Sequence, residues 1–186
     1  MREKGTILVS TGHIVEAVLK RLDKMPPETS AKMVAIAESH LAAYHIAVQT
    51  GVKIALGTDI CSSNPNGTIS HSCNGHELVW AVRRVDMSPL GAVEAATVNA
   101  PETLGLQATK KGLIKQGWDA DSIALDENPL DNIDLFAKPS NIKYVWKMGQ
   151  QIKSPHESHW TPTAQEVNGW AVVDKHSCDG CHIAGM

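Results

Sequence analysis

The sequence predicts an α/β protein. Two β-rich runs, residues 5–10 and 52–56, are each followed by a turn and then by an apolar-periodic stretch. Strand, helix, strand, helix in that order is the pattern of parallel α/β structure. Beyond residue 108 the pattern changes to short strand candidates separated by turn residues, which points to a small antiparallel piece.

The first strand is carried by Ile7, Leu8 and Val9, and the Thr11-Gly12 step after it opens onto Ile14, Val15, Val18, Leu19 and Leu22 at helical spacing. Met25, Pro26 and Pro27 interrupt that helix, and Pro27 with Glu28 suits the first turn of the next. Met33, Ile36, Ala37, His40, Leu41, Tyr44 and Val48 then form one apolar stripe on a long helix that Gly51 ends. Residues 52–56 form the second strand, which runs into Gly57-Thr58-Asp59 and a polar loop from Ser62 to Gly67. Helices follow over 75–85 and 88–98, the second with Ser88 as N-cap, and Pro101 starts a short helical turn. Strand candidates then fall at 111–114, 122–125, 142–147 and 150–152, with turns at Pro129 to Asn132 and Met148 to Gln150. The stretch from Ser154 has no clear periodicity and reads as an irregular tail.

Charge and composition narrow the function. Seventeen Lys and Arg against 20 Asp and Glu give a net charge of -3, too mild an imbalance for a polyanion or anionic-membrane partner, so nucleic acid is not expected. No stretch approaches the roughly 20 apolar residues of a membrane span, and the run after the charged N-terminus is too short for a signal sequence. The uneven placing of Cys61, Cys73, Cys178 and Cys181 argues against a disulfide framework and for a cytoplasmic protein with reduced thiols. An extracellular protein whose signal lies upstream would read the same.

Two ordered segments resemble the metal-dependent amidohydrolase superfamily, in its imidazolonepropionase-like, prolidase-like and ochratoxinase-like branch. One is Gly51-Val52-Lys53-Ile54-Ala55-Leu56-Gly57-Thr58-Asp59, continued by Met87-Ser88-Pro89-Leu90 and by Ala95 through Leu106. The other runs from Lys111-Gly112-Leu113-Ile114 through Asp121, Ile123 to Ile133, and Ile142 to Gln150. The resemblance implies the C-terminal part of a (β/α)8 TIM barrel, with residues 5–10 and 52–56 as its seventh and eighth strands. It divides the chain into a barrel portion (1–107), part of a small β-sandwich (108–153) and the tail (154–186). Catalytic residues of such barrels sit at the C-terminal ends of the strands.

The same resemblance makes Asp59 both the catalytic carboxylate and a metal ligand. Amide hydrolysis at neutral pH needs an activated water and a proton for the departing nitrogen, and a carboxylate beside the water can carry that proton across. An Asp just past a strand can also simply make an Asx turn, the plainer reading for an isolated Gly-Thr-Asp. The family's other ligands are a His-x-His pair, a carboxylated Lys or Glu, and two further strand-end histidines, all from earlier strands. The implied cofactor is a divalent metal, zinc, which needs at least three protein ligands at a catalytic site. The chain is therefore expected to be a C-terminal fragment of a hydrolase of amide or peptide-like C–N bonds, inactive alone. Its partner would be a small-molecule amide or peptide-like substrate, with a homo-oligomer left open.

Other residues invite functional readings. His13 follows a strand end and can face substrate, although a place in the turn that starts the helix is the plainer assignment. His40 and His45 lie on one helix but not on one face, which disfavours a metal pair. His71, Cys73, Asn74 and His76 cluster after Asp59, where they can touch substrate or bind adventitious metal, although a solvated loop is the plainer reading. In the tail, His176-Ser177-Cys178-Asp179-Gly180-Cys181-His182 contains the haem c spelling and four potential zinc ligands. Against the hydrolase stand two alternatives: a non-catalytic truncated product acting by association, and a metal- or haem-binding module organised by the tail.

Overall fold

The structure, a computed structural model, describes residues 1–60 and 70–155. Strands β1 (Leu8–Ser10) and β2 (Ile54–Leu56) pair in parallel, with Leu8 opposite Ile54, Val9 opposite Ala55 and Ser10 opposite Leu56. A parallel pair needs a long crossover. Here it consists of α1 (Gly12–Leu19), a 3-10 turn at Leu22–Lys24 and α2 (Pro27–Gln49). The periodic stretch after β1 thus breaks at Lys20 instead of reaching Leu22 as one helix.

Local signals set the ends of these helices. Pro27 occupies the first turn of α2, where its missing N–H costs nothing, and Glu28 complements the dipole. Gly51, with φ +66°, lies just past the last turn, and two bonds close it: Gly51 N–H to the Val48 carbonyl at 3.1 Å and Val52 N–H to that of Ala47 at 2.9 Å. That is the Schellman arrangement. Helices α3 (His76–Val85) and α4 (Pro89–Ala96) follow, the latter capped by Ser88 Oγ accepting from Gly91 N–H at 3.1 Å. A kinked 3-10 run, Ala100–Ala108, completes this part.

Strands β3 (Ser122–Leu125), β4 (Ile142–Lys147) and β5 (Gln150–Lys153) form an antiparallel sheet in the order β3-β4-β5. The β4–β5 turn places Met148 at φ 51° and Gly149 at φ 79°, the positive pair that a two-residue hairpin turn requires. Residues 111–114 are not a strand. Lys111 Nζ is held by Asp119 at 2.9 Å and Asp121 at 2.7 Å, Gly112 turns the backbone at φ +86°, and Ile114 is left fully exposed.

The core lies where α2, α3 and α4 meet β2, and contains Tyr44, Ala47, Ile54, Trp80, Ala81, Val85, Met87, Ala92 and Ala95. Its alanines let the helices approach closely around one large centre, the Trp80 ring stacked on Tyr44 at 5.4 Å. Of the expected α2 stripe, Ile36 instead turns outward at 54% exposure, while Ala37 and Tyr44 are buried, as is Ala47, which the stripe did not include. No helix among the described residues is long and apolar enough to cross a membrane. The loop from Ser62 to Gly67, Cys61 and the motif from His176 to His182 lie outside the described residues.

Candidate active site

The C-terminal ends of β1 and β2 lie side by side, joined beyond the ladder by Gly57 N–H donating to the Ser10 carbonyl at 2.9 Å. Two residues on, Asp59 takes a left-handed backbone, φ 50°, which a short polar side chain tolerates better than most. Its side chain is exposed. Among the described residues no group of three or more His, Cys, Asp or Glu side chains comes together as a metal cluster.

His13 lies in the first turn of α1, as its position after the strand predicts. Its ring stacks on that of His76, centroids 4.8 Å apart and planes within 13°. His76 opens α3, so adjacent helix N-termini bring together two histidines far apart in sequence. His71 and Cys73 sit on a 3-10 turn ahead of α3, with His71 exposed and Cys73 half-buried in the same groove as the histidine pair. Asn74 is exposed, and its carbonyl accepts Glu77 N–H at 3.2 Å. His40 and His45 lie on α2. His40 packs against Trp80 (6.0 Å) and the edge of Tyr44 (6.4 Å), its Nδ1 has no hydrogen-bond partner, and burial lowers its pKa.

Glu77 escaped the sequence reading. It is 1% exposed, and its two oxygens accept the first two amides of α1: Gly12 N–H on Oε1 and His13 N–H on Oε2, each at 2.8 Å. Ser10 Oγ reaches the same Oε1 at 3.5 Å. Burial pushes the carboxyl pKa up to about 7, and the three donors pull it back only in part. Nearby, burial raises Tyr44 to about 12, with Ser10 pulling it down and the Glu77 charge adding to the rise. The Tyr44 hydroxyl and Ser10 are close without reaching hydrogen-bond geometry. A signal for Glu77 existed in the sequence: at spacings of three, four and eight it shares a helical stripe with Trp80, Ala81 and Val85, all buried. A carboxylate on an apolar stripe has to find donors.

The chain is similar to several known proteins. Ochratoxinase of Aspergillus niger is 41% identical over 166 residues, 89% of this chain and 33% of that protein. Its crystal structure superposes with a TM-score of 0.72 over 87% of this chain and 35% of that one. A prolidase crystallised with N-methylphosphonate-L-proline is 26% identical, with a TM-score of 0.68 over 82% of this chain and 36% of its own. The 5'-deoxyadenosine deaminase of Methanopyrus kandleri is 30% identical over 117 residues, 56% of this chain and 27% of its length. The chain spans about a third of the length of the curated relatives it matches. The amidohydrolase family profile runs over residues 1–152, from ahead of β1 to within β5, and the chain belongs to that family.

Proposed function

We propose that this chain supplies the C-terminal third of a metal-dependent hydrolase of carbon–nitrogen bonds, acting on a small amide or peptide-like substrate, with Asp59 as its proton-handling carboxylate. The observation that carries the reading is the place of Asp59: exposed, just past the end of β2, on a turn tied to the end of β1. Residues 1–107 then contribute the last two strand–helix units of a barrel, and 108–153 part of a β-sandwich. The parallel pair β1–β2 and the antiparallel sheet β3–β5 support that division.

An exposed carboxylate at a strand end is a hard oxygen donor that suits a divalent cation as one ligand of several. When bound, the metal, zinc in this proposal, provides the positive charge that activates water at neutral pH. Asp59 accepts the proton released from the water and returns it to the leaving nitrogen. The chain alone is proposed to be inactive, because the remaining ligands of the resemblance belong to earlier strands. In a whole enzyme containing this segment, Asp59→Asn should leave the fold intact and lower turnover by about two to four orders of magnitude. Turnover near that of the parent would overturn the assignment.

A further inference from the structure

We propose that Glu77 is a positioning residue for Asp59: its carboxylate caps α1 from a neighbouring helix and so fixes the end of β1, to which the turn carrying Asp59 is hydrogen-bonded. This inference rests on the reading of Asp59 given above.

The first amides of a helix have no partner within it. Thr11, at the N-cap of α1, makes no side-chain cap, and the two leading amides turn instead to Glu77, one oxygen each at 2.8 Å. Bonds of that length to a carboxylate are the strong, charge-assisted kind. With Glu77 only 1% exposed, water is not at hand to replace it. The Trp80 indole, from the same face of α3, also closes on the turn, so tightly that a Cβ on Gly12 would overlap ring carbons Cδ2, Cε3 and Cζ3. The turn is held by a carboxylate and a ring of one helix.

From there the restraint passes by one hydrogen bond. Ser10, whose hydroxyl also reaches Glu77, accepts Gly57 N–H at 2.9 Å through its carbonyl. Only Thr58 separates Gly57 from Asp59. Reacting groups displaced by about 1 Å can lose on the order of 100-fold in rate, so a loosened β1 end is felt in turnover more than in binding.

The test uses the whole enzyme containing this segment. Glu77→Gln keeps the shape but turns an NH2 group toward one of the two amides. The expected result is a kcat lower by about 10- to 100-fold with KM changed by less than about 3-fold. Amide hydrogen exchange at Gly12, His13 and Gly57 should speed up together. Should Glu77→Gln not fold, Glu77→Asp, which keeps the charge and shortens the reach, is read for the same changes at smaller size. An unchanged kcat, or a lower kcat with Gly57 exchange unaltered, overturns the proposal. Asp59→Asn run in parallel separates the two ideas. Full turnover there removes the catalytic reading, while the Gly57 exchange in Glu77→Gln still decides whether the tie exists.

Discussion

Stability should fall with rising pH through the titration of Glu77. Burial lifts this carboxyl from its usual 4.5 to about 7, against the opposing pull of the His13 and Gly12 amides and the Ser10 hydroxyl. Facing it are Ser10 and His13 from the β1–α1 turn and Tyr44 from α2, with His76 beside it on α3 and His40 beyond, against Tyr44 and Trp80. Because the folded value lies above the unfolded one, folding takes up a proton. The stabilisation is fully present below pH 4.5 and is lost as pH rises through about 7. At about 1.4 kcal/mol per unit, the rise amounts to about 3 kcal/mol, a large share of the roughly 5–15 kcal/mol that holds a domain folded. Glu77→Gln removes the titration and keeps the shape, and the histidines common to both proteins cancel in the difference. Urea unfolding of the enzyme and the variant, side by side from pH 4.5 to about 8, should show the parent losing about 3 kcal/mol relative to the variant. The loss should level off above pH 7. A difference that stays within about 1 kcal/mol over that range would show that Glu77 titrates like a solvated carboxylate, its three donors offsetting its burial in full.

Gly12→Ala drives a methyl group into the Trp80 ring, itself stacked on Tyr44 and unable to retreat freely. The cost should lie at the upper end of the ~1–3 kcal/mol typical of overpacking, read as a lower Tm; an unchanged Tm would show that the turn yields. The 186-residue chain by itself should expose apolar side chains such as Val9, Leu90 and Ile46, each at least half exposed, and should bind a hydrophobic dye and self-associate. It should also retain no stoichiometric zinc at Asp59 after dialysis. A monodisperse monomer with sharp cooperative unfolding and no dye binding, or zinc that is lost only on Asp59→Asn, would contradict these expectations.

What the sequence by itself determined is what short-range physics governs. Apolar spacing placed α1 to α4, Pro27, Gly51 and Ser88 marked helix ends, and alternation with turn residues marked β3, β4 and β5, because each feature depends on neighbours within a few residues. Residues 111–114 misled the same reasoning: their strand-like pattern is broken at Gly112, where the backbone takes φ +86°, and Ile114 is left fully exposed. The order of motifs identified the family and singled out Asp59, but its left-handed backbone and its tie through Gly57 to Ser10 came from the parallel pairing of strands separated by a 43-residue crossover that runs from Thr11 to Lys53. Only the tertiary structure set His13 on His76 and carried the Glu77 carboxylate to the start of α1. The apolar stripe that Glu77 shares with Trp80, Ala81 and Val85 shows that it is buried but not which donors it meets, because capping a helix needs only two acceptor oxygens at the right place, and the fold can bring them from 64 residues away.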